Sequence, residues 1–569
     1  MKYIFKLIIL STVISLSSCD DFLEMTPLDE ISEVDFYKTE EDLRTAVNAF
    51  YQDLPGWGSI SLGFNALPDS GTDMLTSENI SGRLSGFNYS IPTSASGSDW
   101  GKWDEIRETN WYLAHVDQAE GEETEINQYI GEGYFFRAYH YFDLLVDYGD
   151  LPIFNQYFDD TNLDLVFKAR DPRNEVADFI LSDLNTAISL LQSFPDISTS
   201  PRISKEAALL LKSRVALYEG TWEKYHLGTD HGVDGSDGSS YLQIAAEASE
   251  ELIDSGVFSL HNDYKSLFNQ IGLSGNIEVI LWRDYDDLAL GINNVLQTSW
   301  PNRCGYTRFA VRSYLCSDGN PISASPLYTG DQNLSTIETN RDPRLAATIM
   351  VPGDLLKIDT DGSELAWENP DFSTTDSGNT GYESQKYRDV NIDGNLSDFT
   401  RETSKIIMRY AEALLIFAEA KAELGDISQA DLDKSINMLR NRVNMPGITL
   451  GSITADSNWP NYGYSLTDIL YEVRRERSVE LMAEGFRADD LYRWRAHSLF
   501  NGDTPRGAFY ADGIVNIELE EGNAQLDAEG YLTPFANLGN YTFDVKAYLK
   551  PIPLDELILN PNLTQNPGW

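Results

Sequence analysis

Helical periodicity dominates the two ends of the chain and lapses in the middle. That alternation constrains the fold more tightly than any short motif. Glu40 to Leu54 places Leu43, Val47, Phe50, Tyr51 and Leu54 three and four residues apart, the spacing of one helix face. Trp103 to Val116 continues the style. Ile126 to Tyr148 is strongly aromatic, with Tyr129, Tyr134, Phe135, Phe136, Tyr139, Tyr141, Phe142 and Tyr148, and Gly149 with Pro152 just beyond ends it. Asn174 to Leu191, Ser204 to Gly220 with a serine cap, and Tyr241 to Ser255 follow. Helical signals return at Lys405 to Gly425, where Ala411, Ala413, Ala418, Ala420 and Ala422 let partner helices approach closely. They continue at Ser428 to Val443, Leu466 to Gly485 and Leu554 to Leu559.

The middle, Ser259 to about Ser404, is rich in Gly, Asn, Asp, Ser and aromatic residues. It reads as long loops with short strands such as Val279 to Trp282, and loops of that length are usually functional when they are ordered. Gly502 to Asp544 is a second loop insertion. The expected class is mainly α, with tetratricopeptide-like helical hairpins plus irregular loops and short strands, although no strict repeat consensus recurs. Three parts are expected: a helical one over about 36–258, a loop-rich, ligand-facing one over 259–404 and a helical one over 405–569.

Charge removes whole classes of partner. The chain has 90 Asp plus Glu against 42 Lys plus Arg, a net −48, so it lacks the basic face that tracks a phosphate backbone. Anionic membrane surfaces are disfavoured for the same reason. Bulk disorder is excluded by the 42% hydrophobic and 12% aromatic content.

The N-terminus sets the compartment. Lys2 and Lys6 precede an apolar run, Leu7 to Leu16, that is too short for a span of about 20 residues and right for a signal-peptide core. Leu16-Ser17-Ser18-Cys19 resembles a bacterial lipoprotein box, which makes residues 1–18 a signal peptide and Cys19 the lipidated first residue; an ordinary secretory peptide is the alternative. No other segment is long and apolar enough to span, so attachment is expected through lipid alone. Cys304 and Cys316 can pair in an exported protein or remain as buried thiols.

Several chemistries lack their motifs. No phosphate-cradling loop and no Gly-x-Ser-x-Gly elbow occur, and none of the six histidines sits in a His-Glu-x-x-His. Gly131-Glu132-Gly133 lies inside a helical pattern without a third glycine. Asp389, Asn391 and Asp393 with Gly394 resemble the start of a calcium loop, but the twelfth position is Thr400 where a bidentate Glu belongs. An Asx-rich turn is favoured there, and no cofactor is expected. Glu480, Glu484, Asp489 and Asp490 surround Arg474, Arg475 and Arg477, with Arg487, Arg493 and Arg495 beyond. At helical spacing these charges read as a structural ion-pair network, not as the carboxylate pair of a glycosidase.

What remains is a set of aromatics in polar loops: Trp57, Trp100, Trp282, Trp300, Tyr306, Tyr314, Tyr328 and Trp367. Sugar rings stack their C–H faces on aromatics while their hydroxyls need Asp, Asn and Arg. Two clusters qualify as ligand-binding candidates. One contains Asp73, Arg83, Asn88, Tyr89 and Trp100; the other contains Trp282, Arg283, Trp300, Asn302, Arg303, Tyr306 and Arg308. The competing reading is that each ring fills a satellite core under its loop.

Five stretches in order carry a resemblance. They are Cys19 to Pro27, Gly131 to Pro152, Ser204 to Tyr218 with Ile406 to Gly425, Arg474 to Trp494, and the tail Tyr548-Leu-Lys-Pro-Ile-Pro553 to Gln565-Asn-Pro-Gly-Trp569. The chain resembles the SusD/RagB family of outer-membrane lipoproteins over essentially its whole length. The resemblance implies a fold with four tetratricopeptide-like helical pairs. It implies a surface lipoprotein that acts as a lid on a SusC-type TonB-dependent transporter, capturing oligosaccharide without catalysis. Some members capture peptides, so a RagB-type peptide binder is the first alternative and a carboxylate-dependent glycoside hydrolase the second. The specific motifs mark the scaffold, not the ligand.

Overall fold

The computed structural model describes residues 36–57, 67–77, 83–84, 90–158, 161–197, 201–286, 304–358, 361–368, 370, 378–388, 390, 402–502, 504–510, 525–536 and 539–569. The signal segment, Cys19, Tyr89, Trp300, Asn302 and the acidic turn at Asp389, Asn391 and Asp393 lie outside the described residues.

The main helices are α1 (Glu40–Val47), α2 (Trp103–His115), α3 (Glu123–Tyr148), α4 (Arg173–Leu190), α5 (Lys205–His226) and α6 (Ser239–Asp254) in the first half. In the second half they are α7 (Arg308–Ser313), α8 (Tyr410–Leu424), α9 (Asp468–Glu480) and α10 (Arg487–Arg493). Helices α2 to α6, then α8 and α9, form an array in which each packs on the one before and the one after. This neighbour-on-neighbour stacking is how helical hairpins bury a continuous core. The mainly α expectation holds. Small residues set the crossings: a Cβ on Gly133 of α3 would stand 2.6 Å from Tyr112 of α2. Gly131-Glu132-Gly133 is therefore a helix crossing, not a nucleotide loop.

The strands are short: β1 (Val279–Arg283), β2 (Leu355–Ile358), β3 (Glu364–Ala366), β4 (Lys405–Arg409), β5 (Gln525–Leu526) and β6 (Leu532–Thr533), paired antiparallel as β1–β4, β2–β3 and β5–β6. The helix expected from Lys405 begins only at Tyr410. A short apolar run such as Ile406-Ile407-Met408 fits strand or helix alike, and here β1 supplies the ladder, with Val279 opposite Arg409. Two further boundaries move. Ser428 to Val443 breaks at Ser435 into helices Gln429–Lys434 and Ile436–Arg442. Leu466 to Gly485 stops at Glu480, where Ala483 takes a left-handed φ of 61° before α10.

The loop-rich middle carries its own core. Trp57, Trp282, Tyr306, Tyr314 and Trp367 are all buried in a second hydrophobic cluster with Leu75, Leu345 and Tyr382. Cys304 and Cys316 are buried thiols with no disulfide between them. The Cys304 carbonyl lies against Gly378, and Cys316 forms a backbone bridge with Arg341. Glu383 is buried beside this core and accepts from the Gly378 N–H at 2.8 Å. Burial pushes its carboxyl up to about 7 against the pull of that bond and of Arg388. A carboxyl raised in the folded state stabilises below its unfolded value and loses that contribution as pH rises through 7. Glu383→Gln is therefore expected to leave stability at pH 5 nearly unchanged and to raise it by roughly 2 kcal/mol at pH 8.5. Urea unfolding at the two pH values checks this; an equal effect at both contradicts it.

The expected ion-pair network exists and is buried. Glu472, Glu476 and Glu480 recur every fourth residue on one side of α9. Glu476 accepts from Arg344 at 2.7 Å and from Arg440 at 2.8 Å. Glu480 accepts from Arg442, Arg409 and Arg344 at 2.6, 2.7 and 3.0 Å. Arg493 pairs with Glu419 at 2.6 Å and Arg477 with Asp490 at 2.8 Å. One side of α9 is thus clamped to the scaffold, which fixes what its other side presents.

Candidate functional site

That other side presents Tyr471, Arg474, Arg475 and Ser478, the i, i+3, i+4, i+7 positions of one helical face. All four line a pocket of ≈ 420 Å³, a size that suits a small ligand or one to three sugar rings. Its opposite wall comes from two distant stretches that meet. Thr76 N–H donates to the Gly305 carbonyl at 3.0 Å and Thr307 N–H to the Met74 carbonyl at 2.9 Å. Thr307 then caps α7, its hydroxyl accepting from Ala310 N–H at 3.1 Å and donating to the Asp73 carbonyl at 2.6 Å. The two loop clusters singled out in the sequence are thereby joined, and Asp73 and Arg308 face the same pocket.

The polar groups are held in fixed pairs. Asp73 takes the Arg487 guanidinium in a fork at 2.8 and 2.6 Å. Arg308 pairs with Asp331 at 2.7 Å and lies 3.6 Å over the Tyr531 ring. Asp456 accepts from Ser323 at 2.6 Å and from Arg475 at 2.7 Å. Burial pulls the Asp456 carboxyl up, but those two bonds, the Asn458 N–H and the charge of Arg475 together outweigh it and hold it below the usual carboxylate range. Arg474 donates to Glu423 at 3.1 Å and sits over the rings of Trp494 and Tyr462 at 4.3 and 4.8 Å.

The apolar face of the site is a pair of parallel rings. Trp459 and Tyr471 stack with centroids 4.5 Å apart and 6° between planes. Both are half-buried, so each keeps ring surface open. They also line an adjoining open groove of ≈ 510 Å³, with Asn461, Tyr464 and Asp468. The stack is the shared wall of two recesses.

The other candidates lie elsewhere. Trp100 is buried against Trp103 and Tyr148, with centroids 5.6 and 4.9 Å away. Trp282 is a core residue of β1, edge-on to Phe194 at 6.3 Å. Tyr306 is 1% exposed. Arg83 pairs with Asp147 at 3.1 Å and donates to the Tyr548 carbonyl at 2.8 Å, locking the C-terminal segment to α3. The expectation that Trp100, Trp282 and Tyr306 offer exposed platforms is corrected: their apolar rings build the cores under the loops. Arg312, Phe309, Trp459 and Tyr471 were passed over. The stretch Asp456 to Tyr464 carries the same signature of aromatics among Asp, Asn and Gly that marked the other two loops, and would have found Trp459.

The chain belongs to the SusD family, whose model matches residues 284–569. Residues 77–217 match a second model, described as starch-binding associating with outer membrane. Among individual proteins, SusD-like protein P38 of Formosa agariphila is 26% identical over 518 residues, spanning 84% of this chain and 88% of the relative. SusD-like protein P2 of the same organism is 24% identical over 589 residues, 99% of each chain. The crystal structure of a SusD-like carbohydrate binding protein from Bacteroides fragilis superposes with a TM-score of 0.73 at 22% identity, covering 93% of this chain and all of that one; it establishes the common fold. Among the described residues no helix is long and apolar enough to cross a membrane.

Proposed function

We propose that the protein captures a saccharide against the Trp459–Tyr471 stack and does not cleave it. The observation that carries the reading is that stack: ring surface left open beside fixed Asp, Asn and Arg side chains, the chemistry a sugar's two kinds of surface require. The carbohydrate-binding description of the Bacteroides fragilis neighbour supports it. Capture without catalysis is supported by the pocket carboxylates. Asp73 and Asp456 are each held by an arginine, whereas glycoside hydrolysis needs one carboxyl that stays protonated as a general acid. The protein is anchored through lipid on Cys19 at the outer-membrane surface and passes its cargo to a SusC-type TonB-dependent transporter.

The test is a binding panel. Full-length protein in mild detergent, titrated with polysaccharides and with peptides by calorimetry, is expected to bind at least one polysaccharide saturably and to release no reducing sugar. Binding confined to peptides would replace saccharide capture with peptide capture, and release of reducing sugar would replace it with hydrolysis. Co-purification of a TonB-dependent barrel from native membranes tests the partner.

A further inference from the structure

The pocket holds six arginines, and five of them have carboxylate partners. Arg308 is matched to Asp331, Arg474 to Glu423, Arg475 to Asp456, Arg487 to Asp73 and Arg506 to Asp527, at 2.6 to 3.1 Å. Arg312 is the exception among the described residues. One of its Nη groups donates to Asn458 Oδ1 at a long 3.4 Å, and its Nε is buried with no acceptor. Asp331 is near enough to be influenced by its charge, but the Asp331 oxygens already accept from Arg308 and from the Tyr531 hydroxyl. The two carboxylates of the pocket wall are likewise engaged. A guanidinium with donors to spare therefore lines a pocket whose every other charge is answered, in a chain of net charge −48.

The Nε is enclosed by protein, so an incoming acceptor meets the Nη groups, only one of which has a partner, at a long 3.4 Å. A guanidinium presents a planar fork that matches a carboxylate or a sulfate with two parallel bonds. Neutral hydroxyls satisfy a single donor and leave the charge unmatched. Resting on the saccharide reading above, we propose that the captured saccharide is anionic, with a uronate carboxylate or a sulfate ester seated on Arg312 and a neighbouring ring on Trp459 and Tyr471. The adjoining groove, which shares that stack, receives the continuing chain. Long-range attraction plays no part, because the protein surface is acidic overall and its repulsion fades over a Debye length of about 8 Å at physiological salt.

The experiment compares matched pairs on the full-length protein: polygalacturonate against its methyl ester, a sulfated galactan against its desulfated form, and poly-glutamate as a non-sugar polyanion. The expected result is at least tenfold tighter binding of one acidic glycan than of its neutral twin, and the pair that shows it identifies carboxylate or sulfate. Arg312→Gln is expected to bring that ratio close to one, and Arg312→Lys to keep part of it, both with melting temperatures within a degree or two of wild type. Neutral twins binding as tightly as the acids would overturn the inference and leave saccharide capture standing. An acid preference that survives in both Arg312 variants would overturn the assignment of the anion to Arg312. Binding of poly-glutamate alone, or of nothing, would remove saccharide capture and this inference together.

Discussion

Glu480→Ala is expected to destabilise the protein by about 3–5 kcal/mol, the usual penalty for stranding buried charge. Glu480 is completely buried and receives bonds from three guanidinium groups, those of Arg442, Arg409 and Arg344. Burial alone would push its carboxyl up. Arg442, Arg409 and Arg344 outweigh that and hold it well below the ordinary carboxylate range. Removing it leaves Arg442, Arg409 and Arg344 close together with fewer carboxylates to share, Glu278, Glu484, Glu476 and Asp342. Glu480→Gln, which keeps one oxygen acceptor, should fall between wild type and the alanine variant. Urea unfolding reads the difference directly, and a loss below 1 kcal/mol for the alanine variant would contradict the account.

Trp459→Ala is expected to weaken glycan binding by at least about 2 kcal/mol, some thirtyfold in Kd, with the melting temperature unchanged. The ring is half-buried, stacks on Tyr471 and faces two recesses, so its removal strips the apolar wall from both. Trp100→Ala should do the reverse. Its ring is 3% exposed between Trp103 and Tyr148, and truncating a buried Trp costs about 3–5 kcal/mol of fold stability. Calorimetry and thermal unfolding on the two variants separate binding from scaffold. If Trp459→Ala bound like wild type, the stack would not be the platform.

Much of the scaffold was legible because helical spacing is a local signal. Ile126 to Tyr148, with its closing Gly149, falls within a few residues of the observed α3, and Ser204 caps α5 as its side chain suggests. The acidic and basic residues around Arg474 do form an ion-pair network, but most of its bonds run to other elements, such as Arg474 to Glu423 and Glu480 to Arg442, and not along one helix as their spacing indicates. Lys405 to Arg409 was misread because strand formation there depends on a partner about 130 residues away, which no local pattern reveals. The site was half legible. Asp73 and Arg308 were chosen for chemistry and do meet in the pocket, yet their meeting depends on the bonds joining Thr76 to Gly305 and Thr307 to Met74. The tryptophans misled, because a Trp in a polar loop looks the same in sequence whether it points outward, as Trp459 does in part, or inward like Trp100. Burial is a property of the whole fold, and a single chain of letters gives it no local mark.

The double use of α9 has a consequence for selectivity. Its Glu472, Glu476 and Glu480 side is bolted to arginines from three other segments, while its Tyr471, Arg474 and Arg475 side is the pocket floor. A floor held this way is preorganised. Little conformational freedom is lost when a ligand settles on it, so less of the contact energy is spent on ordering the protein. The same stiffness removes the option of reshaping around a poor fit. A ligand with a substituent out of place meets a surface that does not yield, and discrimination between closely related chains then appears as rejection of the wrong one.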